Sequence, residues 1–169
     1  MSKYVWTVSL LALAACSAPP STPQKAKVEV PQRDLVAEVR AAGVEAQDAL
    51  DVQPLRDPAI SDLRAAATEH ERARRFDEAD ASLEAALKIA PGDPELWQLR
   101  AEIALFRQQY QQAEQLASSS FARGPKLGGL CRRNWTTVRL SREMRGDAAG
   151  AASAGAQLGR CTVEPPVRM

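Results

Sequence analysis

Residues 76–91 read FDEADASLEAALKIAP and residues 110–125 read YQQAEQLASSSFARGP. Laid over one another without a gap, they match Phe76 with Tyr110, Ala79 with Ala113 and Pro91 with Pro125, so the chain repeats itself after 34 residues. Alanine, leucine and glutamate favour a helix in each copy, and the closing proline cannot continue one. The same offset runs upstream: Leu63 pairs with Trp97, and Ala67 with Ala101 four residues later. Each period therefore holds two helices. Small side chains at Ala67 and Ala101 let them approach, while the large residue before them fills the gap toward the next unit.

A third copy follows after the longer connection GPKLGGLCRR, with Trp135 lying 38 residues after Trp97 and Ala151 lying 38 after Ala113. Here the small position is Arg139, which predicts that this unit opens or shifts. Glycines at 150, 155 and 159 should weaken its second helix further. The period and its large and small positions resemble the tetratricopeptide repeat, in which helical hairpins stack side by side. The expected fold is therefore all-α: about three tetratricopeptide-repeat hairpins over residues 57–163, with a tail at 164–169.

Upstream, Leu35, Val39, Ala42, Ala46 and Leu50 fall on one helical stripe with Asp34 available as its cap, which predicts a short amphipathic helix over residues 34–52, weakened by Gly43. Pro54 and Pro58 break the chain after it. Residues 17–33 carry four prolines and few core formers, and read as a disordered tether. The first fifteen residues have a basic start at Lys3, then an apolar run from Val5 to Ala15 that is too short to span a bilayer. Leu13-Ala14-Ala15-Cys16 resembles the bacterial lipobox, which implies a lipoprotein signal peptide over residues 1–15 and lipidation of Cys16; the alternative is an ordinary signal peptide with an incidental cysteine. Ser17 after the cysteine implies the inner leaflet of the outer membrane, facing the periplasm.

An envelope location makes Cys131 and Cys161 readable as a pair. Cys131 falls at the start of the third unit's first helix and Cys161 near the end of its second, ends that are neighbours in an antiparallel hairpin. Two buried free thiols are the alternative.

Catalytic chemistry finds little support. His70 is the single histidine, no C-x-x-C is present, and no serine, threonine or cysteine has an evident base partner. KLGGL lacks the Lys-Ser or Lys-Thr that completes a phosphate loop. We expect no enzyme, no cofactor, no metal and no small-molecule substrate. Without residues 1–15 the chain has 21 basic and 21 acidic residues, so nucleic acid is not an expected partner and membrane attachment falls to the lipid.

That neutral total hides polarity. Seven acids against two arginines lie between Asp34 and Asp62, and seven bases (Arg123, Lys126, Arg132, Arg133, Arg139, Arg142 and Arg145) against Glu143 lie between Ala122 and Gly146. The basic stretch is either a docking patch for an acidic partner or a solvated helix face. Partners of stacked hairpins bind the face lined by the first helix of each. Counted from Leu63, Trp97 and Trp135, that face presents Arg64, Thr68, Gln98, Glu102, Phe106, Thr136 and Leu140. Arg132 and Arg133 complete the candidate partner-binding set. Phe106 is either an apolar anchor for the partner or a residue packed between repeats.

At LWQLRAEIALFRQQYQQAEQLA and RNWTTVRLSREMRGDAAGAASA the chain resembles the LpoP-type outer-membrane lipoproteins over about residues 94–158. Their shared layout is a lipidated cysteine, a proline-bearing linker and a tetratricopeptide domain. The resemblance implies a non-enzymatic activator of a bifunctional class A penicillin-binding protein. A general envelope adaptor for pilus or secretion assembly is the alternative function.

Overall fold

The computed structural model describes residues 33–44 and 57–162, and within them the chain forms seven α-helices. They are α1 (Leu35–Val44), α2 (Pro58–Arg72), α3 (Phe76–Ile89), α4 (Pro94–Phe106), α5 (Tyr110–Arg123), α6 (Gly128–Met144) and α7 (Ala148–Leu158), followed by a short 3₁₀ turn at Gly159–Cys161. Helices α2 and α3, α4 and α5, and α6 and α7 pair as three hairpins, and α3 packs on α4 as α5 packs on α6. The all-α repeat architecture is as the 34-residue period predicts. The expected signal peptide, Cys16, residues 17–32 of the expected tether, residues 45–52 of the expected N-terminal helix and the tail lie outside the described residues. None of the described helices is long and apolar enough to cross a membrane.

Local sequence sets the helix boundaries. Asp57 and Asp93 cap α2 and α4 by accepting from the amides of Ala59 and Glu95, each with a proline in the first turn, where its missing N–H costs nothing. The three hairpin turns are copies of one another. Arg74, Gln108 and Gly146 each sit in the left-handed region, at φ 58°, 58° and 78°. The amide after each donates back to a carbonyl five residues earlier: Arg75 to His70, Gln109 to Ala104, and Asp147 to Arg142. Only the third turn uses glycine, the one residue without a side-chain penalty there. Gln108→Gly is accordingly expected to stabilise the fold by about 1 kcal/mol. A lower urea midpoint for that variant would contradict this.

The core runs as two apolar clusters along the stack, and Trp97 packs against both. Ala79, Ala101 and Ala113 are fully buried at the close approaches, as their repeat positions predict. Carboxylates of the second helices stitch each hairpin to the next: Asp80 accepts two hydrogen bonds from Arg100 at 2.7 and 2.9 Å, and Glu114, one period later, pairs with Arg142.

Arg139 does not open the third hairpin. Its aliphatic stem lies against Gly155, where an added Cβ would stand 3.7 Å from Arg139 Cδ, and its guanidinium pairs with Glu143. A side-chain carbon at Gly155 would meet that stem at ordinary contact distance, and Gly159 falls beyond α7.

Candidate functional site

The first helices α2, α4 and α6 line one side of the stack, and that side is occupied. Helix α1 packs on α6 and α4. It runs antiparallel to α6, since Arg33, just before α1, pairs with Glu143 near the end of α6, while Gly43 meets Gly129 at its start. A Cβ on Gly129 would stand 2.7 Å from the Gly43 carbonyl oxygen, so only glycine lets the two backbones come this close. Gly43, expected as a weak point, faces the Arg133 stem at the same crossing. Leu35, Val36 and Val39 are buried in one cluster with Ala101, Ala104, Leu105, Val138 and Leu140. Arg132 donates to the Ala42 carbonyl at 2.9 Å, closing the C-terminal end of α1 with a positive charge.

A chain of ion pairs runs beneath this helix. Arg40 of α1 makes two hydrogen bonds to Glu71 of α2, at 2.8 and 2.9 Å, and a third to Glu102 of α4 at 2.9 Å. Glu102 is fully buried, and its other oxygen accepts from Arg133 Nε at 3.0 Å and Gln98 Nε2 at 3.1 Å. Arg133 also reaches Glu95 at 3.1 Å. Five charges on four helices thus alternate in sign around one buried carboxylate. The hydrogen bond to Glu71 is the main cause that raises the Arg40 pKa, with Glu102 adding to it. Burial opposes the charge on Arg133, yet Glu102 and Glu95 outweigh it and raise its pKa as well. Burial likewise opposes the Glu143 carboxylate, but hydrogen bonds from Arg33 and Arg139 hold it below its ordinary range.

This arrangement places the candidate partner-binding residues differently from the sequence reading. Gln98, Glu102, Thr136 and Leu140 are buried, two of them in the ion-pair network and Leu140 among the side chains of α1. Phe106 stacks on Phe76 with ring centroids 5.0 Å apart and an interplanar angle of 9°, so it packs between the first two hairpins. Thr68 stays exposed and Arg64 is half-buried, both on α2 beyond the main footprint of α1. Arg133 belongs to the network and Arg132 to the end of α1, so neither forms an open basic patch. The other five bases are engaged too: Arg139 with Glu143, Arg142 and Arg145 with Glu114, Arg123 over the Trp97 ring, and Lys126 with the last carbonyls of α5 and the face of Phe121. His70 receives a hydrogen bond from Arg75 at the first hairpin turn, a structural role.

Sequence reasoning missed Arg40, Glu71 and Glu95 as members of the network. Arg40 sits beside the apolar stripe of its own helix, which was the available signal. Cys131 and Cys161 are joined as a disulfide, Cα atoms 5.6 Å apart, tying the start of α6 to the turn after α7.

Residues 72–126 match the family model of the tetratricopeptide repeat. Curated proteins include no match to this sequence. Among solved structures, the globular C-terminal domain of P. aeruginosa LpoP is similar, with 29% sequence identity and a TM-score of 0.58. The match covers 62% of this chain and 99% of that one. The described helices after α1 therefore form a tetratricopeptide-repeat domain similar to that of LpoP.

Proposed function

We propose that this chain is a lipid-anchored outer-membrane protein that binds and activates a bifunctional class A penicillin-binding protein through its repeat domain, without catalysis of its own. The observation that carries the reading is the likeness to the LpoP domain along 99% of that domain's length. In this reading Cys16 carries the lipid and residues 17–33 lead toward the periplasmic face where the repeats meet the synthase. Activation requires that the domain bind the active conformation of the synthase more tightly than the inactive one, since equal affinity shifts nothing. The half-exposed rim of α2, with Arg64 and Thr68, is the part of the first-helix face open to such contact while α1 stays in place.

Two measurements test the two halves. Labelled palmitate is expected in the wild-type chain and absent from Cys16→Ser; label persisting in the variant would remove the anchor. The chain from Arg33 onward is expected to bind the class A synthases of its own organism in a purified pull-down. Failure to bind any of them, with capture of a pilus or secretion component instead, would favour the envelope adaptor.

A further inference from the structure

Helix α1 has no hairpin partner among the described helices, and it covers the face that stacked hairpins use for partners. Its hold is made of three buried apolar side chains, Arg40 between two carboxylates, the Arg33–Glu143 pair, the Arg132 hydrogen bond to Ala42 and the glycine crossing. Most helical stability in a folded protein comes from packing of an apolar face, so the helix and its docking stand or fall together. Such elements open at lower free energy than the core they rest on.

The seat is also incompletely satisfied. Thr136 is buried on α6 between Arg133 and Leu140, at helical spacing from both, and Gln98 bonds Glu102 on α4. Thr136 Oγ1 and Gln98 Oε1 are buried without a hydrogen-bond partner. The side chains that α1 buries are Leu35, Val36 and Val39, none of which can answer a hydroxyl or an amide.

We infer that this face is a helix-binding groove, that α1 is its resident occupant, and that a partner helix of related chemistry displaces it. The matching segment is amphipathic, with apolar residues four apart as at Leu35 and Val39, an arginine directly after the second as at Arg40, and a hydroxyl or amide side chain turned toward Gln98 and Thr136. The incoming arginine takes the place of Arg40 between Glu71 and Glu102, so neither acid is left unpaired during the exchange. A neutral or acidic residue there would leave Glu71 and the Glu102 oxygen that faces α1 without their cation, which makes the groove selective. This rests on reading the domain as a protein-binding module. It adds that the partner's affinity is reduced by the fraction of molecules in which α1 is seated.

The probe is a fluorescent peptide of residues 33–44, tested on the chain from Arg33 onward and on the same chain carrying Val39→Ser to loosen the resident helix. The peptide is expected to bind the Val39→Ser chain at least about tenfold more tightly than wild type. A peptide carrying Arg40→Glu should lose at least about tenfold of that affinity. Equal binding to both chains, or to neither while helicity is retained, would overturn the inference. A wild-type chain that is dimeric through exchanged α1 helices would overturn it in favour of a second copy as the occupant. Hydrogen exchange on wild type needs no variant: α1 amides are expected to exchange at least about 100-fold faster than those of α4 and α6. Equal protection would make α1 a fixed part of the core and overturn the proposal. No synthase enters these measurements, so their failure is separable from failure of the activator reading.

Discussion

Glu102→Ala is expected to destabilise the folded chain by about 3–5 kcal/mol, the cost of breaking a buried ion pair by removing one partner. The size follows from what is left behind. Arg133 retains one carboxylate, Glu95, while its side chain stays largely buried, 17% exposed, with its stem against Gly43 of α1. Arg40 keeps Glu71 and is more exposed, at 43% of its side chain, so most of the loss falls on Arg133. Glu102→Gln preserves the shape and part of the hydrogen bonding and should cost less than Glu102→Ala. Urea unfolding followed by circular dichroism measures both. A loss below about 1 kcal/mol for Glu102→Ala, the range of a surface pair, would contradict the burial of this carboxylate between two guanidiniums.

Reducing or removing the Cys131–Cys161 bridge is expected to cost about 3–4 kcal/mol, from the loop-closure entropy of the 30 residues it spans. That loop contains the whole of the third hairpin's turn and α7. This helix buries only Ala151 and Ala154 and contains two glycines, so it has little apolar surface to hold it on α6. The bridge supplies what the packing lacks. Cys131→Ser, or reductant added to wild type, should lower the denaturant midpoint by equivalent amounts. An unchanged midpoint, or alkylation of both cysteines without reduction, would show that the third hairpin stands without the bridge.

The repeat architecture is legible in the sequence because its determinants are local and periodic. Phe76 and Tyr110, Ala79 and Ala113, and the capping Asp57 and Asp93 each act on their own helix or its neighbour. The occupied face is not legible for the opposite reason. Glu102 and Gln98 are polar residues at positions that stacked hairpins usually expose. Arg133, 31 residues away, and Arg40, 62 residues away, converge on Glu102, and Gln98 bonds Glu102 and Thr137, 39 residues away. Helical periodicity identifies Leu35 and Val39 as an apolar stripe but does not say which surface that stripe covers. Arg139 shows the same limit within one hairpin: its bulk is visible at its own position, while the Gly155 surface its stem lies against is on the facing helix. Phe106 has an aromatic partner in Phe76 only because two successive hairpins meet there.

The activator reading is tested most directly by the rate at which a purified class A synthase of the same organism polymerises glycan strands from lipid-linked precursor. The account predicts that the chain from Arg33 onward raises that rate in a saturable way, because under the proposed function the repeats alone make the contact. An unrelated protein at the same concentration controls for a general effect of added protein. An unchanged polymerisation rate at saturating wild-type protein, with every class A synthase of the organism assayed, would contradict it.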